Sequence, residues 1–489
     1  MRQVRDSQLQ FGQTPIDQVA FSPRSRDDIP QLLRGLQYIY VTPGVREEVF
    51  RILEEMAAKR ADSGNGRPGM ELWKILVMGT LRLNLDWDYD RLLDRVNYHR
   101  LIRQMLGHGL LDDDREYKLQ TLKDNVGLLT VETLDKINQV VVKAGHTVLK
   151  KNGGDGLDCR CDSFVVETDV HYPTDINLLW DAMRKVVELT AAAAEAAGVG
   201  GWRKSKHLLR ELKRLFRRAQ QAKRSTSSDP VKKAKQDEVV RAAHEAYLQL
   251  AGNLYERAME TVVLLQSMKM VDGLEEVARF ASHARRQMDQ VDRRVLKGEV
   301  IPHEEKVFSV FEEHTEWISK GKAGVPVELG LRVCVVEDQY RFILFHRVMR
   351  KETDDQVAVA MVEEAKARFP EVRTCSFDKG FHSPDNQEAL RGLLERVFLP
   401  RKGKLSREAR EAENEDGFVR ARHQHSAEES AINALEVHGL DRCPDHGVEG
   451  FEKYVALAVL ARNVQRLGVV LLKQDRRRAK RADRRQKTA

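Results

Sequence analysis

The chain has 489 residues, about three domains' worth at roughly 150 each, and its net charge of +7 is unevenly placed. Residues 473–489 carry +7 and residues 202–236 carry +11, which leaves −11 for the other 437 and points to a polyanionic partner. A 42% hydrophobic content, no apolar run near 18 residues, a start (MRQVRDSQLQ) without an apolar signal stretch and only five scattered cysteines argue against a disordered chain, a membrane span and a secreted disulfide scaffold, so a cytoplasmic protein is expected.

Residues 1–41 read as a polar, irregular arm. Thr42-Pro43 opens a helix to about Arg60, with a cap hydroxyl and proline at the first helical position. After the loop at 63–69, helices follow over 71–83, 88–106, from Thr121, and over about 130–150. Residues 42–150 thus form an all-helical unit of a size that can house a helix-turn-helix. Residues 151–175 then bring a strand, GLDCRCDSFVVETDV (156–170). Helix returns over 176–300 as a long insertion, which holds the larger basic block. In residues 301–472 strands are expected at 306–313, 328–337 and 340–349, the last two forming a hairpin across Asp338-Gln339. A helix at 354–368, a strand at 373–378, a helix at 384–394, a strand at 396–400 and a helix near 426–437 complete the alternation. An apolar helix (451–472) precedes the basic tail, 473–489.

Without the insertion the order is three strands, then helix, strand, helix, strand, helix. That is the order of a ribonuclease H-like α/β core, a mixed sheet flanked by helices. Two-metal phosphoryl transfer needs hard oxygen ligands converging on ions about 3.5–4 Å apart, and this fold order says where to seek them. One belongs on the first strand, one at the end of the fourth and one on the last core helix. Asp162, Asp378 and Glu429 occupy those places, with Glu428 as the alternative third acid. Taken singly, each also reads as an ordinary strand, turn or helix-surface charge. Cys159, Cys161, His438, Cys443 and His446 lack the paired spacing of a zinc site.

Four ordered blocks carry a resemblance. DSFVVETDVHYPTD (162–175) resembles the D-[ST]-T-V-V-E-T-N-I-H-Y-P-T-D signature of insertion-sequence DDE transposases of the ISNCY type. EEHTEWISKGKAGVPVELG (312–330), FDKGFHSPDN (377–386) and the stretch from HSAEES to ARN (425–463) are similar to the same group. GRPGMELWKILVMGTLRLNLDWDYDRL (66–92) is similar to its N-terminal DNA-binding region. The resemblance implies catalytic and metal-binding roles for Asp162, Asp378 and Glu429, with two Mg²⁺ ions (Mn²⁺ substituting). It also implies duplex DNA as partner, nucleoid association, and a homodimer or higher assembly that joins two transposon ends. Departures from the pattern are Phe164 in place of a small hydroxylated residue, Glu436 in place of a basic one, and Arg422 and His425 at positions usually held by Tyr and Arg.

Arg422 and His425 are therefore candidate DNA contacts. Lys320, Lys322, Arg401, Lys402 and Lys404 flank expected strands and are candidates to line a DNA path. Basic residues 203–224 and 473–487 are expected to add salt-sensitive phosphate binding. Two other readings stand beside the transposase: a metal-dependent nuclease without strand transfer, and an inactive DNA-binding repressor.

Overall fold

The computed structural model describes residues 3–5, 9, 12–22, 25–59, 69–109, 115–149, 155–222, 226–319, 326–425 and 431–488. They fall into two compact units, one of residues 1–169 with 318–489 and one of residues 170–317.

In the first unit, the stretch expected to be an arm contains α1 (Asp28–Val41), whose Leu32, Leu33, Leu36 and Ile39 are fully buried. Asp27 caps it, accepting the Ile29 N–H at 3.0 Å. The expected arm is therefore in part a core helix. α2 (Pro43–Ala58) has proline in its first turn, as expected, although the Thr42 hydroxyl makes no capping bond. α3 (Leu72–Asn84) is buried along its whole length. The single helix expected over 88–106 is two, α4 (Tyr89–Tyr98) and α5 (Arg100–Met105). His99 leaves helical geometry between them and its Nδ1 accepts the Ile102 N–H at 3.4 Å. α6 (Leu119–Val126) and α7 (Val131–Val148) follow, the latter capped by Thr130.

The second unit is helical. Among its described residues four long helices occur where the periodicity places them: α8 (Asp175–Ala196), α9 (Ser205–Gln221), α10 (Pro230–Ser267) and α11 (Leu274–Val291). They enclose a core of their own that includes Leu179, Met183, Val186, Tyr247 and Phe280. The strand expected at 306–313 is absent among the described residues. The Ser309 hydroxyl accepts the N–H groups of Phe311 and Glu312, at 3.2 and 3.0 Å, and turns the backbone out of extended geometry.

The described strands build one mixed sheet flanked by helices. β1 (Leu157–Thr168) lies at its centre, and β2 (Glu316–Ser319) stands at one edge. β3 (Val327–Asp338) runs antiparallel to β1, and β4 (Ile343–Met349) antiparallel to β3. The turn between them is wider than expected because Asp338 Oδ1 accepts the N–H groups of Tyr340 and Phe342, each at 2.9 Å. α12 (Asp354–Arg368) leads to β5 (Val372–Phe377), parallel to β1, and α13 (Pro384–Leu393) leads to β6 (Arg396–Phe398), parallel to β5. Parallel neighbours need such crossovers. The order across the sheet is β2-β3-β1-β5-β6, with β4 a further partner of β3, so that through β4 the strands read β4-β3-β1-β5-β6. α14 (Arg407–Glu413) and α15 (Asp416–His425) fill the charged stretch after β6. Of the helix expected over 426–437, α16 (Ala431–Leu435) is described, and it gives way to a wide turn that ends near Gly439, at φ 94°. β7 (Arg442–Cys443), unforeseen in the sequence, pairs in parallel with Glu167 and Thr168 at the far end of β1.

α17 (Gly447–Thr488) joins the expected apolar helix and the basic tail into one element. It is long and apolar enough to cross a membrane by composition, yet 83% of its most apolar window is buried inside the protein. Two glycines let α1 and α17 touch backbone to backbone. A Cβ on Gly35 would stand 2.1 Å from Val464 O, and one on Gly468 1.8 Å from Gln31 O. The helices α1–α7, the sheet and α17 share one hydrophobic cluster, so the N-terminal helices have no core apart from the sheet.

One buried amide ties three of these elements together. Asn463 of α17 donates to Ile343 O at 2.8 Å and to Asn138 Oδ1 of α7 at 2.7 Å, while its Oδ1 accepts the Ile343 N–H at 3.0 Å. Truncating it strands a backbone N–H in a dry core. Asn463→Ala is expected to cost about 2–4 kcal/mol in chemical denaturation. A loss below about 0.5 kcal/mol would contradict this account of the amide.

Candidate functional site

The register of the central strands brings two of the expected acids together. Cys161 of β1 pairs with Phe377, the last residue of β5. The next residues are Asp162 and Asp378, on strands about 4.8 Å apart. Beyond this point β5 leaves the sheet, and on that side β1 has no described strand partner from Asp162 to Val166, until β7 takes Glu167 and Thr168. The sheet opens a notch beside the two acids, beyond the carboxyl end of a parallel strand where open α/β sheets bind ligands.

Asp162 Oδ1 accepts the Ser163 N–H at 2.8 Å. Burial raises its carboxyl from the usual 3.8 to about 6, with the charges of Asp378 and Asp354 pushing the same way and the Ser163 N–H and Arg160 opposing. Its side chain nevertheless keeps 41% of its surface exposed, an open face that a cation can reach.

His425 completes this side. Its Nδ1 lies 3.1 Å from Ser376 Oγ, which is 3.4 Å from the Cys159 carbonyl. A serine donating to that carbonyl accepts from Nδ1–H, which leaves Nε2 as the lone-pair nitrogen. Nε2 is buried without a hydrogen-bond partner among the described residues and stands 4.0 Å from Asp162 Oδ2. Burial holds the imidazole below its usual range; the Asp378 charge opposes this and Arg160 reinforces it.

Glu428 and Glu429 lie outside the described residues, but the flanks of their segment are fixed. Arg160, two residues before Asp162 and hence on its face of β1, donates to Gln424 O at 3.0 Å and to Glu337 Oε2 at 2.5 Å. The same Glu337 oxygen accepts the Ala431 N–H at 3.2 Å. One ion pair on the two central strands therefore anchors residues 424 and 431, on either side of the glutamates.

Asp354 also joins the site, though nothing in the sequence singled it out. It accepts from Ser163 Oγ at 2.7 Å, and a Cβ on Gly380 would stand 3.0 Å from its Oδ2. In sequence it is only an acid in the first turn of a helix capped by Thr353. Arg160 carried a weak signal, its two-residue offset from Asp162.

Among the basic candidates, Lys402 Nζ donates to Gly380 O at 2.8 Å, two residues from Asp378. Arg401 and Lys402 together lower the His382 imidazole, after the larger effect of burial. Lys404 and Arg422 are exposed and have no described contact with the acids. Lys320 and Lys322 lie outside the described residues.

The carboxylate oxygens fit a hard divalent cation such as Mg²⁺ or Mn²⁺, while the imidazole nitrogen is a softer donor that suits transition metals better than Mg²⁺. Among the described residues no group of three His, Cys, Asp or Glu side chains is placed to hold a metal, and the third expected ligand lies in the segment 426–430. Cys159 and Cys161 face the core instead, where burial raises both thiols, and Cys161 Sγ lies 3.5 Å from Cys334 Sγ.

Because the folded-state value of Asp162 lies above its unfolded one, its contribution to stability is whole below pH 3.8 and is lost as pH rises through 6. In EDTA, Asp162→Asn is therefore expected to be more stable than wild type at pH 7.5, by about 1 kcal/mol after allowance for solvent screening, and equal to it at pH 3.5. Thermal melts at the two pH values check this, and an Asn variant that melts lower at pH 7.5 would contradict it. Comparison of the chain with protein-family models, with curated proteins and with solved structures gave no match.

Proposed function

We propose that the chain is a DNA transposase with a ribonuclease H-like catalytic core, in which Asp162, Asp378 and Glu429 hold two divalent cations. One observation carries this reading. Asp162 and Asp378 stand level where β5 leaves β1, and the segment bearing Glu429 is anchored at both ends by Arg160 and Glu337 of the same sheet. The strand order β4-β3-β1-β5-β6, with the first three antiparallel and the last two parallel to β1, supports it. So do the four sequence blocks that resemble insertion-sequence transposases.

The chemistry that bound Mg²⁺ supplies in such a site is activation of water for in-line attack on a phosphodiester and stabilisation of the leaving 3′ oxygen. The residues of the chain then have distinct tasks. The three carboxylates fix where the scissile phosphate sits. Ser376 holds His425 in the tautomer that turns Nε2 towards Asp162. Asp354 braces Ser163 beside the catalytic strand position. Lys402, beside the Asp378 turn, is placed to meet a phosphate. The freed 3′-hydroxyl attacks target DNA in the same site, without a covalent protein–DNA bond. Two ends must be joined, so the working form is a dimer or a larger assembly on DNA.

The test is incubation of purified protein with duplex DNA bearing the element's own ends, in Mg²⁺ or Mn²⁺. Wild type is expected to nick at the terminus and to join the new 3′ end to a second duplex. Asp378→Ala and Glu429→Ala are each expected to lose about 100-fold or more of the cleavage while binding the DNA as before. Cleavage that survives Asp378→Ala would sink the assignment. Nicking without joined products would indicate the nuclease, and binding without nicking the repressor.

A further inference from the structure

We infer that the exposed face of α9, continued by the first turns of α10, docks the phosphate backbone of duplex DNA; the choice of DNA as the polyanion rests on the function proposed above. The apolar side of α9, with Leu212, Phe216 and Ala219, is buried in the core of the unit 170–317. The helix is therefore fixed in place, and Lys206, Arg210, Lys213 and Arg217 stand out from it in the solvent. They recur every three or four residues and line one long face.

That face is not neutralised from within. The one carboxylate of α9, Glu211, lies off that face and is taken by Arg214 at 2.8 Å. Among the described residues Lys206, Arg210, Arg217 and Arg218 have no ion pair, and Lys213 lies 5.5 Å over the Trp180 ring. Some other exposed cations of the same unit are paired, Arg279 with Glu313, Arg294 with Asp175 and Lys297 with Asp292. Acids three or four residues from these bases would stabilise the helix, and none lies at that spacing from Lys206, Arg210, Lys213 or Arg217.

A second observation comes from the helix ends. The peptide dipoles place partial positive charge at an N-terminus, where acids are favoured and cations are not. α8 and α11 obey this, with Asp175 in the first turn of one and Glu275 and Glu276 in that of the other. α9 breaks it: no acid lies in its first turn, and Lys204 precedes it. α10 is capped by the Asp229 carboxylate, which accepts the Val231 N–H at 3.0 Å, and Lys232 and Lys233 follow. The positive end of α9, loaded with further positive charge, is stable beside an external anion.

The shape selects among polyanions. A membrane-surface helix needs its apolar side free to enter the bilayer, and here that side is inside the protein. A 17-residue helix spans about 25 Å, and a duplex carries about one negative charge per 1.7 Å of its axis, so one rigid face can meet several phosphates.

The experiment measures equilibrium binding of the full-length chain to a random-sequence 40-base-pair duplex across a salt series, without divalent metal. The variants are Lys206→Gln/Arg210→Gln/Lys213→Gln/Arg217→Gln and the charge-retaining Lys206→Arg/Arg210→Lys/Lys213→Arg/Arg217→Lys. Each phosphate contact contributes about 0.9 to the slope of log K against log salt, so the Gln variant is expected to lose about 3–4 of slope and the charge-retaining one almost none. An unchanged slope in the Gln variant, or an equal loss in the charge-retaining one, overturns the surface. Tighter binding to phosphatidylserine vesicles or to duplex RNA overturns the choice of DNA. A slope loss as expected in a protein that never cleaves DNA supports the surface and contradicts the transposase reading instead.

Discussion

The ion pair between Arg160 and Glu337 joins β1 to β3 and sets the geometry of everything around the acids. A buried pair costs solvation, which further hydrogen bonds offset in part. Here Gln424 O accepts from Arg160 and the Ala431 N–H donates to Glu337 Oε2, while Glu337 Oε1 is buried without a hydrogen-bond partner among the described residues, so the pair reaches beyond the sheet to the chain on either side of Glu428 and Glu429. Arg160 and Asp162 also share a face of β1. A one-residue slip against β3 would turn both into the core and expose Cys159 and Cys161. Register and site are thus one constraint.

The rest of the first unit serves to keep that register. β4 is pinned by the Asn463 amide through Ile343, and Asn463 sits on the helix that closes against α1 through Gly35 and Gly468. On the other side β5 ends at the residue before Asp378, and Ser376 near its end sets the His425 ring. Among the described acids Asp162 is presented from a strand, Asp378 from the residue just past one and Asp354 from the start of a helix, so each is held on or directly beside a rigid element.

How much of this was legible in the sequence depended on how local each determinant is. The strands bearing Asp162 and Asp378 and the β3–β4 hairpin showed themselves through β-branched and apolar runs, which are local signals. α1 did not, because Asp27, Asp28 and Pro30 open it within a polar stretch and hid the regular spacing of Leu32, Leu33, Leu36 and Ile39. The alternation in KVFSVF imitated a strand until the Ser309 hydroxyl captured two backbone N–H groups. β7 is two residues long, below any periodic signal. The tether of Arg160 joins residues 177 and 264 positions apart, and Asp354 enters the site only through tertiary contact, so neither belongs to any local pattern.

The two units carry opposite electrostatic problems. Under the proposed function, divalent cations answer the paired carboxylates of one unit and DNA phosphates the basic face of the other. The most direct measurement is Mn²⁺ binding, followed by electron paramagnetic resonance, in wild type, Asp378→Asn, Glu429→Gln and the double variant. If acids from distant segments form one centre, each single change removes the same binding event and the double variant loses no more than either alone. Wild-type binding in Glu429→Gln, or independent losses that simply add, would contradict it.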